Sequence, residues 1–208
     1  MAAFRAILIW SALAGVMAVP VAVAASSEYL QYRSAVYVAA SLAGVIALSL
    51  MLVQPMLASG HLPGLTMARG RRIHRWTGAV LLLAIVMHVA GLWITSPPDM
   101  IDALTFTAPT AFSFFGVVAM WALFVAAMLA VFRKTLRWRP QIWRLAHTAA
   151  VSVVVPASVA HALMIEGTMG TVSKIVLCVA LLGAFALTVR RLKPWAGVRR
   201  TWRTQAGE

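Results

Sequence analysis

Apolar residues run through this chain in six long stretches separated by short polar breaks. The stretches fall at roughly 7–25, 36–57, 74–95, 112–132, 145–165 and 173–191. Each comes close to or exceeds the ~20 residues that an α-helix needs to cross the hydrocarbon core of a bilayer. Together they occupy most of the chain, and too little remains for a soluble catalytic domain. The pattern predicts an all-α membrane protein, a bundle of six transmembrane helices.

The polar breaks alternate in character. Arg5, the group Arg69, Arg71, Arg72 and Arg75, the group Arg133, Lys134, Arg137, Arg139 and Arg144, and the tail from Arg190 onward all fall on one side of a six-span topology. That side holds sixteen of the eighteen basic residues, while Glu28, Asp99, Asp102 and Glu166 fall on the other. The positive-inside rule makes the basic side cytoplasmic, with both termini there, and a bacterial inner membrane is the expected location. A composition that is 62% hydrophobic with a mean hydropathy of +0.88 excludes an ordinary soluble domain. The net charge of +13 therefore reads as topology and contact with the lipid bilayer, and no basic-aromatic module points to nucleic acid.

Between the spans, residues 58–72 contain Gly60, Pro63, Gly64 and Gly70 and read as an irregular inner loop, with His61 an interfacial loop histidine. The connection TSPPDMIDALTFTAPT is acidic and proline-rich, with room for a short surface helix. FRKTLRWRPQIWR reads as a basic inner loop whose Trp138 and Trp143 suit the headgroup region. The first stretch ends in VAVAAS and resembles a secretory signal, but its apolar run of about nineteen residues exceeds the usual signal core, so a retained helix is expected. The single cysteine, Cys178, has no partner for a disulfide and no C-x-x-C-H motif is present.

Four histidines change the picture. His74 and His88 lie fourteen residues apart in the third stretch, and His147 and His161 lie fourteen apart in the fifth. On a helix this interval spans roughly 21 Å and falls only about 40° short of whole turns, so each pair projects from nearly one face. Pairing by depth joins His74 with His147 near the inner surface and His88 with His161 near the outer one. Neutral imidazoles on both faces of a haem iron give a low-spin centre suited to single-electron transfer. Two haems, one above the other, fit this arrangement, whereas zinc lacks the thiolate or carboxylate to complete a tetrahedron. Gly78 and Gly91, with Ala150, Ala157 and Ser158, leave room beside the rings or serve helix packing. Arg75, Arg72 and Arg144 stand at the depth of the inner haem's propionates, and the positive-inside rule accounts for them equally well. Pro156, between His147 and His161, is expected to bend its helix. Apart from the histidine ladder no internal repeat is evident.

Six spans with IHRWTG…MH and WRLAH…AH resemble the ferric reductase-like transmembrane domain family over about residues 36–190. That family includes the membrane cores of NADPH oxidases, fungal ferric reductases and the haem subunit of the periplasmic methionine sulfoxide reductase system, which is similar in size to this chain. The resemblance implies b-type haem, ligation by His74, His88, His147 and His161, and electron transfer from the inner to the outer side. No G-x-G-x-x-G follows a strand, so electrons are expected from a separate donor reductase, carrying flavin, or from a membrane quinol.

The expectation is thus a six-helix bundle holding two stacked haems: residues 1–35 as first helix and outer connection, 36–191 as haem-binding domain, 192–208 as a basic tail. The chain would be a di-haem cytochrome b, the membrane subunit or core of an oxidoreductase, passing electrons to ferric iron, oxygen or a periplasmic partner protein. The competing reading is a transporter or assembly protein whose histidines bind a metal or relay protons. It lacks support from any Asp or Glu inside a span.

Overall fold

The computed structural model describes residues 1–196, so Arg199, Arg200 and Arg203 of the expected basic tail lie outside the described residues. All six apolar stretches form helices: α1 (Ala2–Ala25), α2 (Ala35–Ser59), α3 (Met67–Thr95), α5 (Ala111–Val131), α7 (Pro140–Met164) and α8 (Thr171–Leu192). Each is long and apolar enough to cross a membrane. Two short helices join them, α4 (Pro97–Leu104) in the acidic connection and α6 (Arg133–Leu136) in the basic one. A single 3-10 turn, Glu28–Leu30, links α1 to α2.

Two loops are shorter than the sequence suggested. The segment 58–72 is mostly helical: α2 runs on to Ser59, α3 already begins at Met67, and only residues 60–66 are irregular. Gly60 ends α2 in the left-handed conformation at φ 68°, while the Thr66 hydroxyl accepts the Arg69 N–H at 3.3 Å to start α3. Gly60 closes α2 and Gly70 lies inside α3, so only Pro63 and Gly64 belong to the loop between them. In the basic connection, Arg137 turns the chain at φ 48° and Pro140 opens α7, a position where its missing N–H is no loss. Trp143 and Arg144 therefore belong to α7.

The spans assemble as two helix pairs, α2 along α3 and α5 along α7, with α8 packed against α1, α2 and α7. The core lies around α2, α7 and α8, where Leu57, Val155, Leu177 and Leu181 are fully buried. Cys178 is buried among them as a small apolar side chain. The helices run without interruption through Pro20, Pro55 and Pro156. Among the described residues α3 and α7 do not pack closely on each other; α3 leans on α2, and α7 on α5 and α8.

At the basic end a small polar cluster ties α2 to α8. Ser59 donates to the Pro55 carbonyl at 2.8 Å, and Thr188 Oγ1 lies 3.0 Å from the same carbonyl and 3.1 Å from Ser59 Oγ. His61 Nδ1 hydrogen-bonds Ser59 Oγ. Partial burial, and secondarily the Arg191 guanidinium, hold the His61 imidazole below its ordinary value. The folded chain therefore binds this proton less readily than the unfolded chain. The resulting stability is present above the unfolded value of about 6.5 and is lost as pH falls below it. Thermal unfolding in detergent should show the melting temperature dropping less steeply below about pH 6.5 in His61→Gln than in the parent chain. Identical slopes would remove His61 from the pH response.

Candidate functional site

The four ladder histidines share one local geometry. His88 Nδ1 lies 2.8 Å from the Ala40 carbonyl and His161 Nδ1 lies 2.8 Å from the Phe112 carbonyl. His74 Nδ1 lies 3.2 Å from the Gln54 carbonyl and His147 Nδ1 lies 3.2 Å from the Ala126 carbonyl. A carbonyl only accepts, so at His88, His147 and His161 Nδ1 carries the hydrogen and donates, and at His74 it does so when the Gln54 amide turns its oxygen to the ring. The ring lone pair is then left on Nε2. That is the tautomer a metal needs, and the bond behind it fixes the ring and raises its basicity.

Among the described residues none of the four Nε2 atoms has a hydrogen-bond partner, and none is sealed from the surface of the chain. His74 and His147 lie toward the basic ends of α3 and α7, and His88 and His161 toward the acidic ends. No group of three or more His, Cys, Asp or Glu converges among the described residues.

The carbonyl acceptors form a second ladder that the sequence reading missed. Ala40 and Gln54 are fourteen residues apart on α2, as are Phe112 and Ala126 on α5. Each helix pair is therefore a repeat of the other, with the carbonyls offset by seventy-two residues and the histidines by seventy-three. Both α7 histidines meet their carbonyls at the same spacing as the α3 pair, so Pro156 does not spoil the alignment.

Glycines also repeat. One turn beyond each outer acceptor stands Gly44 or Gly116, and the histidine ring lies directly on it. A Cβ on Gly44 would sit 2.8 Å from His88 Nδ1, and one on Gly116 would sit 2.7 Å from His161 Nδ1. The glycines singled out from sequence act otherwise. A Cβ on Gly91 would meet the Ala40 Cβ at 2.6 Å, so Gly91 closes α3 onto α2 and does not make room beside a ring. Gly78 has only the Gln54 amide near it, at 3.7 Å. A signal for Gly44 and Gly116 did exist: aligning the two halves on their histidines brings these glycines within one residue of register.

The inner rings have different neighbours. The Gln54 side-chain amide lies 2.8 Å from His74 Nδ1 and its other end lies 2.8 Å from Thr77 Oγ1. With oxygen toward the ring it is a second acceptor for the Nδ1–H. With nitrogen toward the ring it donates to an unprotonated Nδ1, and its oxygen meets Thr77 Oγ1 and, at 3.1 Å, the Gly78 N–H. Amide orientation and His74 tautomer are thus locked to each other. At His147 the neighbour is the Trp143 ring, stacked at 5.2 Å and 10°. Arg75 and Arg144 are exposed at this end of the bundle, beside His74 and one turn before His147.

No curated protein and no solved structure matches the chain. Residues 43–158, more than half of the sequence, match the family described as ferric reductase like transmembrane component. The match begins beside Gly44, ends within α7 and covers His74, His88 and His147. This integral membrane protein belongs to the ferric reductase-like transmembrane family.

Proposed function

We propose that the chain is a di-haem b-type membrane cytochrome that carries electrons across the bilayer. The observation that supports it is the repeated clamp: four imidazoles, each beside a backbone carbonyl at Nδ1 and without a partner at Nε2 among the described residues, fourteen residues apart on α3 and again on α7. On this reading His74 and His147 hold the inner haem, and His88 and His161 hold the outer one. Arg75, Arg72 and Arg144 offer charge-assisted donors for propionates at the basic end. Bound there, haem iron supplies one-electron centres that change oxidation state with little change in geometry. The protein's own part is to fix the ring planes, keep Nε2 unprotonated and exclude water with the apolar faces of α3 and α7.

The basic end faces the cytoplasm on the positive-inside rule and receives electrons from a reductase or quinol. The acidic end delivers them to ferric iron, oxygen or a partner protein. Oxidised and dithionite-reduced absorption spectra of the detergent-solubilised chain, with a pyridine haemochrome assay, test the reading. About two b-type haems per chain are expected. A colourless protein purified from haem-replete cells would refute it and leave the transporter reading standing.

Gln54 gives a finer test of the same reading. In the ligating tautomer its amide oxygen draws on the His74 Nδ1–H, which strengthens electron donation through Nε2 and favours ferric iron. Gln54→Leu should raise the inner midpoint potential by on the order of tens of millivolts. Redox titration followed at the haem bands measures it, and an unchanged pair of potentials would leave Gln54 a packing residue.

A further inference from the structure

The two helix pairs differ at the inner ring, where Gln54 stands beside His74 and Trp143 beside His147. Leu57 on α2 and Leu129 on α5 occupy corresponding places, offset by the same seventy-two residues as the acceptors. On α3 the residue four before His74 is Gly70, and a Cβ there would lie 2.9 Å from the Leu57 carbonyl oxygen. Backbone presses on backbone. On α7 the residue four before His147 is Trp143, whose Nε1–H donates to the Leu129 carbonyl at 2.6 Å. Because α5 ends at Val131, that carbonyl is one of the last four without a helical partner, and the indole caps it.

So anchored, the indole lies face to face with His147, ring centroids 5.2 Å apart and planes 10° from parallel. The Arg133 guanidinium carbon sits 4.6 Å from the Trp143 ring centroid. A tryptophan at this depth ordinarily serves the interfacial belt. A belt role requires neither parallel contact with an imidazole nor a carbonyl anchor that holds the ring there. The result is an unbroken run from an exposed cation, through a conjugated ring, to an imidazole of the inner pair. The α3 half, with glycine at the matching place, has no such run.

We infer that Trp143 is the electron entry point of the inner site, with Arg133 attracting an anionic reductant to it. The inference rests on the haem-binding reading above. An anionic one-electron reductant at the basic end is oxidised, and the ferric inner centre gains the electron. Trp143 itself is neither oxidised nor protonated; acting through His147, it is a positioning residue that fills the gap with a polarisable ring.

The test uses the haem-loaded full chain with two reductants, photoreduced flavin mononucleotide, an anion, and hexaammineruthenium(II), a cation repelled by Arg133. Stopped-flow reduction by the flavin should be severalfold slower in Trp143→Met and close to the parent rate in Trp143→Phe. Reduction by the ruthenium cation should be unaltered in both. Haem count, Soret position and the low-spin electron paramagnetic resonance signal should stay as in the parent, because Met and Phe both fill the space beside His147. An unchanged flavin rate in Trp143→Met with both haems present would overturn the inference and leave the haem reading intact. Equal slowing with both reductants would overturn it too. Arg133→Gln, which keeps the indole, should slow the flavin alone; a parental rate there would overturn the inference however Trp143→Met folds. A parent chain without haem would end both readings, and the spectrum reports that first.

Discussion

His88→Ala removes one haem and leaves the other, His161→Ala removes the same one, and the two changes together remove no more than either alone. The expected count falls from about two to about one per chain in all three variants. His74→Ala and His147→Ala form the same kind of set for the inner centre, while His88→Ala combined with His147→Ala should leave none. The reason lies in the geometry. A bis-imidazole iron loses its coordination when either ring is gone, so partners are redundant in loss, and groups acting as one unit are strongly non-additive. On the haem reading His88 pairs with His161 and His74 with His147, by their positions toward the acidic and basic ends of α3 and α7. Pyridine haemochrome counts on the purified variants, with redox titration to identify the surviving centre, distinguish the outcomes. If His88→Ala and His161→Ala together removed both haems, the pairing would be wrong.

Gly44→Ala and Gly116→Ala should damage the outer centre alone. The added methyl would lie 2.8 Å from His88 Nδ1 and 3.0 Å from Cε1, or 2.7 Å from His161 Nδ1 and 2.8 Å from Cε1. Contacts this short force the ring away, and the ring cannot retreat without stretching its 2.8 Å bond to the carbonyl one turn earlier. Overpacking of this kind costs about 1–3 kcal/mol, equivalent to roughly 5- to 150-fold in outer-haem affinity for each substitution. The double variant should lose the outer haem and keep the inner one. Gly15→Ala and Gly183→Ala are the controls, since a Cβ at either meets nothing within 4 Å. There alanine should stabilise the helix by up to about 1 kcal/mol with haem content unchanged. Haem titration of the four variants decides, and full occupancy in the Gly44→Ala, Gly116→Ala pair would refute the cradle.

Much of this was legible in the sequence because it depends on hydropathy and interval. Six apolar runs gave six helices, and two fourteen-residue intervals gave four rings clamped alike. Helix ends were misread where their signals were taken for loop. Gly60 and Thr66 are caps, and Pro140 opens a helix, so Arg69 to Arg72 and Trp143 moved from connections into α3 and α7. What could not be read was the role of α2 and α5. Their contribution comes from the main-chain oxygens of Ala40, Gln54, Phe112 and Ala126, and a carbonyl is present at every position whatever the side chain. Only Gly44 and Gly116 leave a trace, through the space they vacate. Gly91, which looked equivalent, spends its missing methyl on a helix contact.

Holding the rings by backbone oxygens has a genetic consequence. No substitution can delete a peptide carbonyl, so point mutation in α2 or α5 removes these acceptors only indirectly, by bulk or by displacement. A single-residue insertion between Ala40 and Gln54 acts differently, because it turns one carbonyl about 100° away from its histidine relative to the other. The ring-holding role of these two helices therefore asks nothing of their side chains beyond Gly44 and Gly116, yet tolerates no change in length between the acceptors. Their fixed quantity is a count of residues, not an identity.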